Sequence, residues 1–255
     1  MTALDLSPRP GGAPLGAQVL AQAGMETRLL LRNGEQLLLA VVIPVVVLVG
    51  AVLGADRIGL DLSRRAVDEF TPGVLALAVM STSFTSLAIA TGFERRYGVI
   101  KRLGASPLPR TGLLLGKVLA LLLVQAVQAV VIAGVALAFG WRPDPALPAA
   151  LVSAVLGTAA FASLGLFVAG VLRAEATLAA ANLVYLLLLA GGAVVLPSSA
   201  YGAAGAVTRL LPSGALGDAL RSALWSGQAA WGAWLVLATW AVVGAALTAR
   251  TFKWE

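Results

Sequence analysis

The densest group of side chains able to touch a ligand is Ser81-Thr82-Ser83-Phe84-Thr85-Ser86, a run of hydroxyls inside a long apolar stretch. Hydroxyls in such surroundings bond the carbonyl one turn back, a neighbouring helix, or a polar group of a passing molecule. Gln125, Gln128, Asn182 and Tyr185 add isolated polar groups in other apolar stretches. Ser81, Thr82, Thr85, Ser86, Asn182 and Tyr185 are therefore the residues expected to line a solute route, with helix packing the competing reading of each. A second group is charged: Glu94-Arg95-Arg96-Tyr97-Gly98-Val99-Ile100-Lys101-Arg102-Leu103. The third, Gly112-Leu-Leu-Leu-Gly116-Lys117-Val118, has a residue too few between its glycines and no Ser or Thr after the lysine, so it cannot cradle a nucleotide phosphate. It is also a GxxxG spacing, as is Gly50 to Gly54, and such spacings allow close helix approach. Cysteine and histidine are absent, which removes thiol and Ser-His nucleophiles and Cys/His metal sites. No catalytic, metal or cofactor site is expected on this chain.

The elements that position these groups follow from composition. Of 255 residues, 59% are hydrophobic and 12% charged, and the mean hydropathy is +0.92. One water-soluble core cannot hide that much apolar surface, so the solvent is lipid. The expected fold is an all-α membrane protein. Cutting the chain at its ionisable residues leaves six apolar stretches, each able to supply the ~20 residues of a spanning helix. The spans are expected at about 37–54, 72–93, 112–140, 148–172, 177–196 and 226–249. Pro197 stops the fifth, and 197–224, rich in Gly and Pro, reads as an interfacial or re-entrant segment.

Six spans put both termini on one side. With the N-terminus inside, twelve cations face the cytoplasm: Arg9, Arg28, Arg32, Arg95, Arg96, Lys101, Arg102, Arg110, Lys117, Arg173, Arg250 and Lys253. Only Arg57, Arg64, Arg65, Arg142, Arg209 and Arg221 face out. Cationic loops mark the cytoplasm, so the net charge of +6 reports topology rather than a nucleic-acid partner. An excess of Arg over Lys with much Ala, Gly and Leu suggests a GC-rich bacterial source and hence a bacterial plasma membrane. Residues 1–36 are expected to be cytoplasmic and 250–255 a cytoplasmic tail. The N-terminus has no apolar core of a signal peptide. From Gln18, Val19, Leu20, Ala23, Thr27, Leu30 and Leu31 gather on one helical face, with Gln18, Gln22, Glu26, Arg28 and Arg32 opposite. That pattern predicts an amphipathic helix lying on the cytoplasmic leaflet.

As cut, the spans contain no ionisable residue, which disfavours a proton-coupled carrier, and no filter or charged pore ring appears. In the loop 94–111, Arg96, Val99, Ile100 and Leu103 can share a helical face, ended by Gly104 and Pro107. A short helix with an apolar ridge and cationic surround could dock into another protein; the plainer reading is a set of positive-inside anchors.

The chain here resembles the membrane subunits of type-2 ABC exporters, the drug, polysaccharide and lipid efflux permeases. The resemblance rests on Glu94, Gly98, Leu103, Pro107, Gly116 and Lys117 in that order, with Leu31-Arg32-Asn33-Gly34-Glu35 before a span carrying Pro44. Phe70-Thr71-Pro72-Gly73, Leu211-Pro212, Asp218-Ala-Leu-Arg221 and the tail Arg250-Thr-Phe252-Lys253-Trp254-Glu255 complete it. It implies a six-span permease with an N-terminal elbow helix and short extracellular re-entrant helices. The loop after span two would be the coupling helix, with Glu94, Arg95, Arg96, Gly98, Val99, Ile100, Leu103 and Pro107 as its residues. Two permeases would work with two separate ATPase subunits, which hold the ATP and magnesium. An ATP-independent carrier or channel, and a non-transporting scaffold or sensor subunit, are the competing readings.

Overall fold

The computed structural model describes residues 13–32, 34–55, 57, 62, 64–103 and 108–251. Two long helices come first, α1 (Leu15–Arg32) and α2 (Gly34–Ala55). The next runs unbroken from Ala66 to Arg96 as α3 (Ala66–Met80), a π-helical turn (Ser81–Ser86) and α4 (Leu87–Arg96). After a turn come the short α5 (Val99–Leu103) and the long α6 (Arg110–Ala138). The remainder is α7 (Leu147–Val171), α8 (Ala174–Gly191), a 3₁₀ segment (Ser198–Ala204), α9 (Gly205–Thr208), α10 (Pro212–Trp225) and α11 (Trp231–Thr251). All regular structure among the described residues is helical.

Five helices are long and apolar enough to cross a membrane: Ala66–Arg96, Thr111–Ala138, Leu147–Val171, Ala174–Gly191 and Trp231–Thr251. Within α2 the apolar helix found is the shorter Ala40–Ala55. The 29 residues of α6 reach roughly 43 Å at 1.5 Å per residue, beyond a hydrocarbon core of about 30 Å. Charged residues near the ends of these helices therefore stay within reach of the interface. The α3–α4 helix is the most buried and forms the centre of the bundle; α8 and α11 are peripheral. Around Phe84 and Phe161, whose rings meet edge to face, Leu77, Met80, Leu216 and Leu237 close the core. Helix α11 lies along α7, and the absence of a side chain at Gly244 admits Ser163, whose Oγ would stand 2.3 Å from a Cβ there. Close approach at small residues is how helices associate in lipid, where burial of apolar surface gives no drive.

One end of the bundle carries α5, the other carries α9 and α10. At the α10 end, the α6–α7 loop is held by Asp144 N donating to Leu224 O (3.1 Å) and Ala146 N to Ala223 O (2.9 Å). The Trp225 indole donates to Asp68 O (2.7 Å), with Arg64 over its other side, 5.2 Å from the ring centroid.

Several expectations need correction. The helix expected over 72–93 begins a turn and a half earlier, at Ala66, with Pro72 inside it. The fifth expected span ends at Gly191 rather than Leu196. Its termination has a specific partner: Arg221 donates to Val194 O (2.8 Å) and to Val195 O, satisfying carbonyls that a continuing helix would have used. Burial lowers the proton affinity of that guanidinium, and Asp218 and then Glu69 oppose the shift. Finally, the polar face of α1 is divided: Arg28 and Arg32 are exposed as expected, whereas Gln22 and Glu26 are buried. Val19, Gln22, Ala23 and Glu26 are its buried residues, packed along α6, while Leu20, Met25 and Leu29 are exposed.

Candidate functional site

At the α5 end, three helices meet on one lysine. Lys117, in the second turn of α6, is 5% exposed, and its Nζ lies 2.7 Å from Glu94 Oε1 of α4 and 2.9 Å from Glu26 Oε1 of α1. Gln22 Nε2 donates to the same Glu26 oxygen (2.9 Å). The neighbour that makes this possible is Gly116, whose Cβ would fall 2.6 Å from Gln22 Cγ; Gly112 similarly lies against Leu108 and Leu15. Of the two GxxxG spacings, this one is a helix contact, whereas Gly50 and Gly54 have nothing within 4 Å of an added Cβ. The helices long enough to span a membrane therefore carry buried ionisable residues, Glu94 and Lys117, close to their α5 ends. Cutting the sequence at its charges removes a buried charge from every stretch by construction.

Glu94 sits two residues before the end of α4 and leads directly into α5. The turn is made at Gly98, whose φ of 68° is the left-handed conformation that glycine adopts without strain. Arg95 reaches the end of α7, donating to Ala169 O and, at 3.4 Å, to Leu172 O, where a cation meets unpaired helix carbonyls. Arg96 pairs with Glu175 at the start of α8, and both are half-exposed or more, so the pair contributes little. Both arginines thus tie α4 to its neighbours. In α5 itself Ile100 is 3% exposed and Leu103 is half-buried, while Val99 is 37% exposed. Arg96, Val99, Ile100 and Leu103 do not present one ridge; Tyr97, Val99, Lys101 and Arg102 form the outward surface. Pro107 and Gly104 lie outside the described residues.

The hydroxyl cluster is the π-helical turn. Gly165 of α7 comes up against the carbonyls of Phe84 and Ser83, 2.9 and 3.3 Å from its would-be Cβ, so this turn lies in close contact with α7. The glutamines expected to be isolated are its partners. Thr82 Oγ1 donates to Gln128 Oε1 (3.0 Å), whose amide donates to Ala40 O (2.8 Å). Gln125 Nε2 donates to Ser83 Oγ (2.7 Å) and its carbonyl accepts from Thr158 (2.8 Å). Ser81 and Tyr185 of α8 are half-buried, Thr85 Oγ1 is buried without a partner among the described residues, and Asn182 is exposed. A cavity of about 40 Å³ joins the two groups, lined by Thr82 and Ser86 on one side and by Glu26 and Lys117 on the other. Sequence reasoning missed Glu26, Gln22 and the two glutamines as members of these networks. The available signals were the i, i+4 pair Gln22/Glu26 and the i, i+3 pair Gln125/Gln128, each presenting one helix face.

The arrangement contains no nucleophile–base pair, and among the described residues no group of three or more acidic, Cys or His side chains could hold a metal ion. It offers instead uncharged polar groups bonded to one another between the π-helical turn, α6 and α7, and a buried charge cluster that joins α1, α4 and α6. No curated protein sequence matches the chain. Residues 37–250 match the family described as ABC-2 family transporter protein. That match takes in α2 from its apolar part through α11 and so includes both networks except their α1 members. The chain belongs to the ABC-2 transporter family and is a multi-pass transmembrane permease component, a class that works with an ATP-binding subunit.

Proposed function

We propose that this chain is the permease of an exporter that moves a hydrophobic or amphipathic molecule out of the cytoplasm or inner leaflet, driven by ATP hydrolysis on a separate subunit. In this reading α2 is the first of six spans, α1 lies along the cytoplasmic surface, and 197–224 forms a re-entrant extracellular segment. The α5 end faces the bacterial cytoplasm; the clustering there of Arg95, Arg96, Lys101, Arg102, Arg173 and Arg250 supports that orientation.

The observation that carries the proposal is the Lys117 junction. Glu94 immediately precedes the turn into α5, so a push on Tyr97, Val99, Lys101 and Arg102 moves an oxygen held 2.7 Å from Lys117. Through Lys117 the displacement reaches α6 and, through Glu26, α1. Closure of a docked ATPase would thereby bias the permease between two arrangements, which requires that ATP-bound and ATP-free partners press differently on α5.

Ser81, Thr82, Thr85 and Ser86, with Tyr185 and Asn182, mark the proposed route. Asn182 and Tyr185 are three residues apart and share a face of α8, and an amide facing hydrocarbon is costly unless something covers it. A second permease across that face would cover Asn182 and enclose the route between the two chains. The test is to purify the chain from its native membrane in mild detergent and assay the eluate. A stoichiometric ATP-binding subunit with vanadate-sensitive hydrolysis supports the proposal. A chain that elutes alone, also after co-expression with candidate ATPases, contradicts it in favour of an autonomous carrier or a scaffold.

A further inference from the structure

A second cavity, of about 500 Å³, opens between α6 and α7 at the α10 end, within the roughly 300–1,000 Å³ typical of small-molecule sites. The two helices splay because their connecting loop is propped on α10 by the Asp144 and Ala146 amides. Alanines face the gap on both sides, among them Ala126 and Ala129 on α6 and Ala150 and Ala154 on α7. Val130, at 73% exposed, and Leu151 stand on the outer surface of the same helices, so the gap opens towards hydrocarbon.

Two polar features single this gap out from an ordinary lipid-facing crevice. At its α10 end lies Trp141, 7% exposed, whose indole N–H has no acceptor among the described residues. A buried donor without a partner costs about 1–3 kcal/mol, a cost that an incoming acceptor would remove. Next to Trp141 in the chain is Arg142. Arg65 is paired to Asp68 at 2.8 Å, whereas the exposed Arg142 side chain makes no ion pair among the described residues.

We propose that the α6–α7 cavity binds a glycerophospholipid from the leaflet at the α10 end. One acyl chain fills the gap, an ester carbonyl accepts from the Trp141 indole, and the phosphate lies beside Arg142. The site requires only that the chain spans a membrane; its inner wall carries Gln125 and Gln128, whose side chains are already bonded to Ser83 and Thr82 of the hydroxyl cluster.

The test uses the full chain in vesicles of phosphatidylethanolamine and phosphatidylglycerol with a phosphatidylglycerol probe bearing a diazirine in one acyl chain. Photolabelled residues are mapped by mass spectrometry. Labelling on α6 and α7 around Ala129 and Ala154 is expected to saturate and to be competed by unlabelled phosphatidylglycerol. Ala129→Phe, a filling change at an exposed position, removes the saturable component while size-exclusion behaviour and thermal unfolding stay unchanged. Trp141→Phe keeps the apolar ring and loses one hydrogen bond, so apparent affinity falls roughly three- to tenfold. Arg142→Gln weakens competition by phosphatidylglycerol and leaves competition by diacylglycerol unchanged. Labelling that rises in proportion to probe content and ignores Ala129→Phe overturns the proposal, leaving annular lipid only. It is equally overturned if Ala129→Phe breaks a dimer without changing lipid labelling, because a second copy then occupies the gap.

Discussion

Lys117 balances two carboxylates with one ammonium, and removing it leaves Glu26 and Glu94 facing each other in a largely buried site. Lys117→Met is expected to destabilise the folded chain by on the order of 3 kcal/mol, because stranding buried charge costs more than the intact pair contributes. Adding Glu26→Gln and Glu94→Gln should restore most of the thermal stability in detergent without restoring stimulation of the ATPase by the permease. Recovery of both would reduce the cluster to a structural anchor. Gly73 gives a cleaner steric contrast. Its Cβ would fall 2.3 Å from Val195 O and 2.8 Å from Arg221 Nη2, whereas Gly50 has open space. Gly73→Ala should lower the unfolding midpoint by the equivalent of about 1–3 kcal/mol, and Gly50→Ala should leave it unchanged. Neither contrast was legible in the sequence. Glu94, Gly116 and Lys117 stood out by type and spacing, but Glu26 looked like part of a water-facing stripe. Its partner lies on another helix, and helical periodicity says nothing about what that helix presents.

At the scale of elements, α5 is the piece in which two neighbouring hydrophobic residues, Val99 and Ile100, separate the competing readings. Val99 is exposed and Ile100 buried, so the same aspartate substitution asks different questions at neighbouring positions. Val99→Asp should leave the unfolding midpoint unchanged and detach the ATPase on a size-exclusion column. Ile100→Asp buries a charge and should destabilise the chain itself by more than about 3 kcal/mol. Val99→Asp with an undiminished ATPase peak would remove α5 from the docking surface. Among the helices long and apolar enough to cross a membrane, α7 at Leu147–Val171 and α11 at Trp231–Thr251 are runs of apolar residues between turn signals, α11 starting at Trp231 where the expected span began at 226. Helix ends decided by tertiary contacts were not legible. Past the end of α8 at Gly191, the carbonyls of Val194 and Val195 accept from Arg221, thirty residues beyond Gly191, and in the first turn of α3 Asp68 accepts from Arg65 and from the Arg142 backbone N–H of the α6–α7 loop.

For the molecule as a whole, the charge asymmetry between the two ends gives a topology that can be measured directly. The sequence contains no cysteine, so single replacements report without background. Gln228→Cys should react with a membrane-impermeant maleimide in intact spheroplasts, and Lys101→Cys only after the membrane is opened; the opposite pattern would invert the orientation. The helical membrane class followed from composition alone, because no water-soluble packing hides so much apolar surface. The networks that join the helices depend on which faces meet, and those came from the structure. The central claim is that α5 is where an ATP-binding subunit engages the permease. A photo-crosslinking amino acid at Val99, compared with one at the hydrocarbon-facing Val130, tests it in the native membrane. Val99 is predicted to capture an ATP-binding subunit and Val130 only lipid. Capture of lipid alone at Val99, with the ATPase present in the same membrane, would contradict the account.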